Sequence, residues 1–279
     1  MFGMLAVWGL GHIGASVVMA ARQRAIAQTI LGYDLDHETT AAMAAYLEPV
    51  YSPDALQRAD LLILAIPPMA LAPCFERIAS WPIRPAVISD VASVKEPVCR
   101  WAWTALGEQG MAGFVPAHPI AGHEGKGHGA ARPDLFYERP IVITPHEMTS
   151  TQAVEHIGAF WTALEARPTI MGCYEHDQLL AGLSHLPHAL AFALAGTTAG
   201  NTQRWHQTIG PLPSSLQDML RVARSDPELW KEIFFLNHKA LGEHLDAYIE
   251  SLETLRTALC KENMTTIARW LTDAVTHGG

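Results

Sequence analysis

Residues 4–14 read Met4-Leu5-Ala6-Val7-Trp8-Gly9-Leu10-Gly11-His12-Ile13-Gly14, an apolar run that breaks into glycines spaced G-x-G-x-x-G. Ala15, Val17, Val18 and Ala21 follow at helical spacing, so the order is strand, tight loop, helix. The three glycines then serve different ends: one turns the chain, one lets backbone approach a pyrophosphate, and one packs helix on strand. Alone the pattern is short and occurs in other α/β proteins. Its context strengthens it, because residues 29–33 read as a second strand ending in Asp34, 20 residues after Gly14, where a carboxylate accepts from a ribose hydroxyl. Gly9, Leu10, Gly11, His12, Ile13, Gly14 and Asp34 are therefore the expected dinucleotide contacts, with the phosphates at the positive end of the first helix. Leu35, Asp36, His37 and Glu38 come next. With no Arg or Lys among them, a 2′-phosphate meets negative charge, and NAD is preferred over NADP.

Further along, residues 59–68 form a continuous apolar run that stops at Pro67 and Pro68, as in a parallel strand covered on both faces. Its end, Ile66 and Pro67, belongs beside the cofactor. A helix is expected over 69–80, a strand over 86–90, and a strand-to-helix corner over 91–95 that holds Ser93. A serine at such a corner is more often a helix N-cap than a ligand. Yet strands in an open parallel sheet end on the ligand-binding edge, and His118 ends the next strand. Pro116 and Pro119 flank that histidine, and four glycines lie between 122 and 129. Imidazole titrates near neutrality, so His118 is a candidate general base as well as a candidate structural turn residue.

Composition bounds the rest. With 279 residues, 49% hydrophobic and 17% charged, the chain has the makings of a soluble two-domain enzyme. A net charge of -9 with no basic run argues against nucleic acid. The four cysteines form no C-x-x-C, which suits a reducing compartment. No apolar stretch is expected to reach membrane-spanning length, and no signal peptide is evident, so a cytoplasmic location without membrane contact is expected. A helix over 149–164 and a strand over 168–171 complete an α/β Rossmann-type domain over 1–172. After Cys173, apolar residues recur at helical spacing (Leu179, Leu183, Leu190, Leu194, Leu241, Leu245, Leu252), which predicts an all-helical domain over 173–279.

Several segments carry a more specific resemblance: Gly9 to Ser16, Asp90-Val-Ala-Ser-Val-Lys95, His118-Pro-Ile-Ala-Gly-His-Glu124, Asp134-Leu-Phe136 with Ile143-Thr-Pro145, His176-Asp177, Ser184-His-Leu-Pro-His188 and Arg221 to Trp230. In this order they resemble the prephenate and arogenate dehydrogenases of tyrosine biosynthesis over nearly the whole chain. The resemblance implies a homodimer through the helical domain, with Ser184, His185 and His188 around the substrate ring and the entrance to the active site. It implies a cyclohexadienol substrate that loses hydride and carbon dioxide, with Ser93 sharing the hydrogen bond from the substrate hydroxyl to His118. Gln217 and Leu220 stand where the family usually carries Arg and Thr, and His123 where it has Ser or Thr. These departures leave prephenate and arogenate both open.

In the helical half, Asp218 precedes Arg221 by three residues, which permits a same-face pair in which the carboxylate aims the guanidinium. A guanidinium meets a carboxylate through a planar fork, so Arg221 is the candidate clamp for the substrate's acid group. Asp226-Pro227 reads as a helix start, and Trp230 one turn later is a candidate pocket wall. Glu124 is a candidate contact to a side-chain amine, a gate, or a solvated loop acid. His185 and His188 lack a third ligand at readable spacing, so no metal is expected. Three further readings remain: a two-domain hydroxyacid dehydrogenase, which would rely on a catalytic lysine, an NAD-binding redox sensor, and a related dehydrogenase acting on an amino-substituted prephenate in secondary metabolism, which Gln217 and Leu220 permit.

Overall fold

The computed structural model describes residues 2–121 and 125–277. In chain order its regular elements are β1 (Phe2–Trp8), α1 (His12–Gln23), β2 (Ala27–Tyr33), α2 (His37–Ala42), β3 (Glu48–Pro49), β4 (Leu61–Leu64), α3 (Leu71–Ala79), β5 (Val87–Asp90), α4 (Glu96–Met111), β6 (Ala117–Pro119), β7 (Pro140–Ile143), α5 (Thr151–Ala163), β8 (Arg167–Ile170), α6 (Cys173–Leu180), α7 (Leu186–Thr208), α8 (Ser214–Val222), α9 (Pro227–Leu236), α10 (His238–Cys260) and α11 (Met264–His277). Two compact units result: Met1–Leu179 with Arg224–Leu236, and Leu180–Ala223 with Asn237–Gly279. The sheet-bearing unit thus keeps α6 and α9 from the helical half.

That unit holds a five-stranded parallel sheet ordered β3-β2-β1-β4-β5. The order reverses between β1 and β4, which is where such sheets open a ligand crevice. Along β1 and β4 successive side chains enter opposite cores. Leu5, Val7, Leu61 and Ile63 join Val17, Val18 and Phe160 on one face, while Ala6, Trp8, Leu62 and Leu64 join Phe75, Ile78 and Val98 on the other. Burial on both faces explains why the runs are uninterrupted by polar residues. Each fully buried Leu or Ile contributes roughly 1.5–3 kcal/mol of transfer free energy.

Three expectations need correction. His118 does not end a further parallel strand: β6 belongs to a separate sheet ordered β6-β7-β8 and runs antiparallel to β7. Ser93 does not cap α4. The corner runs two residues further, Lys95 occupies the N-cap position, and the capping oxygens come from a distant carboxylate. Nor is the chain without a span-length apolar helix. Residues 173–208 form one helical run through a π-turn at Ala181–His185, with an 18-residue window of mean hydropathy 1.4. Pro187 does not break it, because the π-turn just before it accommodates the ring and the missing N–H.

Candidate functional site

The nucleotide cradle follows from backbone sterics. Gly9 takes a positive φ of 96° and donates its N–H to Tyr33 O at 2.8 Å. A Cβ on Gly14 would stand 1.9 Å from Gly9 O, so α1 can pack under the loop only without a side chain there. Gly11 caps α1 with no side-chain hydrogen bond, and no acidic residue occupies the first turn, so the helix end presents its N–H dipoles to an anion. A groove of about 750 Å³ opens above, lined by Gly9, Gly11, Asp34, Ile66 and Pro67 among others. Leu10 turns its side chain into the core and half-buried Ile13 packs against it, so at these two positions the loop offers a ligand backbone. Asp34 braces it: Oδ2 accepts from Leu10 N–H (2.7 Å) and Oδ1 from Asp36 N–H (2.9 Å). These features fit a dinucleotide. Gly14→Ala is expected to weaken NAD binding by more than tenfold, about 1.4 kcal/mol, measured by titration calorimetry. An unchanged affinity would show that the Gly9–Gly14 approach is not needed.

Beyond the cradle, His118 is buried on β6 and its Nδ1 lies 2.9 Å from His176 Nε2. His176 Nδ1 lies 2.7 Å from Asp177 Oδ1. The carboxylate also accepts from the Lys95 N–H at 2.8 Å and the Glu96 N–H at 2.9 Å, two donors at the start of α4 with no partner inside the helix. The partners assign the tautomers. Asp177 accepts, so His176 donates through Nδ1 and presents a bare Nε2. His118 then donates through Nδ1, and its own Nε2 carries the lone pair. In that tautomer the chain of bonds leaves His118 an acceptor nitrogen, which a general base requires.

Lys95 ties this arrangement together. It is fully buried, and its Nζ meets Asp90 Oδ2 at 2.5 Å and Ala117 O at 2.7 Å, next to His118. Burial pushes the Asp90 carboxyl up, while the Lys95 ammonium and the Ala92 N–H pull the other way. Ser93, between the pair, is half-buried in the loop.

Trp230 is buried in α9, in the same unit, against Phe234 (ring centroids 5.4 Å apart). Asp226 caps that helix as expected, accepting from Glu228 N–H at 3.2 Å, and pairs with Lys126 at 3.1 Å. In the helical unit, His185 is buried with Nδ1 3.1 Å from Asn237 Nδ2. His188 is half-buried with Nδ1 2.8 Å from Ser184 O, and burial lowers its pKa. Asp218 and Arg221 are both exposed on α8, and no ion pair joins them among the described residues. Glu124 and its neighbour His123 lie outside the described residues. Sequence reasoning names Lys95, His176 and Asp177 only within the motifs that carry the resemblance, without their contacts, and does not name Asn237. Adjacency of a histidine and an aspartate is the one readable sign. No group of three or more His, Cys, Asp or Glu able to hold a metal occurs among the described residues.

Comparison with known proteins gives the family. Residues 17–170 match the family described as prephenate dehydrogenase, nucleotide-binding domain, and residues 173–273 match prephenate dehydrogenase, dimerization domain. A cyclohexadienyl dehydrogenase of Zymomonas mobilis is 33% identical, over 94% of this chain and 90% of its own. Prephenate dehydrogenase of Aquifex aeolicus, solved with hydroxyphenyl propionate and NAD+, superposes with a TM-score of 0.88 at 23% identity, covering 99% of this chain and 97% of that one. Arogenate dehydrogenase of Synechocystis gives a TM-score of 0.78 at 28% identity, with 98% of both chains covered.

Proposed function

Because the chain belongs to the prephenate dehydrogenase family, we propose that it carries out the NAD-dependent oxidative decarboxylation of prephenate to 4-hydroxyphenylpyruvate. The observation that carries this reading is the bond chain Asp177–His176–His118, which leaves the lone pair on His118 Nε2. Bound NAD supplies the hydride acceptor. His118 Nε2 takes the proton of the ring hydroxyl as the carbonyl forms, and Ser93 shares that hydrogen bond. The resulting dienone is conjugated to the carbon that bears the carboxylate, so carbon dioxide leaves and the ring becomes aromatic. Arg221 is assigned to the ring carboxylate, and His185, His188, Ser184 and Trp230 to the pocket around it. Glu124 is kept as a substrate contact at the entrance.

NAD is preferred over NADP on electrostatic grounds. Hydrogen bonds from Thr39 and the Glu38 N–H hold the Asp36 carboxyl below its ordinary range, so negative charge stands two residues from Asp34 where a 2′-phosphate would lie. The dimerization-domain match supports a homodimer, and cysteines without disulfides suit a cytoplasmic enzyme.

The test is NADH formation followed by absorbance, with prephenate and arogenate each offered with NAD and NADP. A second reading, arogenate or dual cyclohexadienyl dehydrogenase, is favoured by the names of the 33% and 28% identical relatives, and a higher kcat/KM for arogenate would establish it. Absence of NADH with either substrate would leave the redox sensor. Arg221→Ala is expected to raise KM with kcat nearly kept, by at least the roughly 1.5–3 kcal/mol of a charge-assisted contact. Steady-state kinetics with unchanged KM would remove Arg221 from the site.

A further inference from the structure

Cys99 and Cys173 are 74 positions apart in the chain, yet their sulfurs lie 2.9 Å from each other. Both are free thiols. Cys99 is buried in the first turn of α4, and Cys173 is half-buried at the start of α6, with its sulfur also 3.4 Å from Thr144 O. A disulfide places its sulfurs about 2.05 Å apart, so closure asks for a movement of roughly 1 Å. The thiols are not equivalent. The contact with Cys173, together with burial, pushes the Cys99 thiol up, whereas the hydrogen bond from Cys99 and the nearby Lys95 ammonium hold Cys173 below the ordinary range. Cys173 is also the less buried of the two, so its sulfur is the one a dissolved oxidant reaches first, and it is assigned as the nucleophile.

Position gives the pair its meaning. Cys173 lies three residues before His176 on α6, and Cys99 lies one turn into α4, the helix whose first N–H groups Asp177 holds. We propose that Cys99 and Cys173 form a reversible disulfide that switches off the alignment of His176 with His118. With hydrogen peroxide as oxidant, the Cys173 thiolate attacks one peroxide oxygen, the O–O bond breaks, and a sulfenic acid and hydroxide form. The Cys99 sulfur then attacks the sulfenic sulfur, hydroxide leaves, and the thiol proton joins it as water. Two thiols and one peroxide become one disulfide and two waters. Closure draws the first turn of α6 onto α4 and carries the His176 ring with it, and a 2.9 Å hydrogen bond does not survive a shift of that size. The kinetic part rests on His118 being the base, whereas the covalent part does not.

The experiment uses the full chain with Cys260→Ser, because that thiol is exposed. After hydrogen peroxide treatment, peptide mapping without reductant is expected to find the Cys99–Cys173 cross-link, and thiol titration to lose two of the remaining three thiols. Turnover should fall at least fivefold with NAD affinity kept, and dithiothreitol should restore it. Cys99→Ala and Cys173→Ser should each remain active and become insensitive to peroxide. Oxidation of Cys173 without a cross-link, a cross-link without loss of turnover, or thiols that stay titratable would each overturn the proposal. If neither substrate is turned over, the functional reading fails by itself, and the peptide map still decides the disulfide.

Discussion

His118→Asn is expected to lower kcat by roughly 10²–10⁴, the usual worth of a positioned base. Asparagine is polar and similar in reach, but it does not take up a proton at neutral pH. In the proposed reaction the proton received at Nε2 would make an imidazolium, which the bond through His176 to Asp177 would stabilise through an acceptor chain ending in a carboxylate. The loss should fall on turnover and spare the nucleotide, whose cradle is built from Gly9, Gly14 and α1 and contains no atom of His118. Single-turnover kinetics beside NAD titration separates the two. A variant with ordinary kcat would end the assignment of His118 as base.

A second large effect is expected in stability. Lys95→Met removes one partner of an ion pair whose side chains are both fully buried. Breaking such a pair costs about 3–5 kcal/mol, because the remaining charge is left without compensation. Here Asp90 Oδ1 already has no partner among the described residues, and Ala117 O would lose its donor as well. Burial already pushes the Asp90 carboxyl up, and losing Lys95 removes the largest cause that opposes it. Urea denaturation should show the midpoint falling, and Asp90→Leu combined with Lys95→Met should recover part of the difference. A single-variant loss under about 1 kcal/mol, or a double variant no better than the single, would show that the pair contributes little.

Much of the fold is readable because local rules and global structure agree. The glycine spacing, the apolar runs at residues 3–8 and 59–66, and Asp34 all concern neighbours in sequence, and each lies where those rules put it. His118 is readable too, since prolines and glycines around a lone imidazole mark it. Its alignment is not, because the partner His176 is 58 residues away and Asp177 reaches the α4 amides from 81 and 82 residues away. A Ser93 cap is a fair expectation from a serine at a corner. It fails because a carboxylate from another helix already satisfies those amides. Membership of β6 in a second sheet is likewise invisible, since it depends on pairing with β7, more than 20 residues on.

The polypeptide passes between its two compact units three times, at 179/180, 223/224 and 236/237. Protein engineers who wish to excise the nucleotide half therefore have no single scissile point. A fragment ending at residue 172 would keep the glycine loop but forfeit His176, Asp177 and Trp230, leaving the amino end of α4 bare and the base unaligned. Such a piece is expected to grip nucleotide and do no chemistry, and its melting behaviour would report how much the returning strap of residues 224–236 secures.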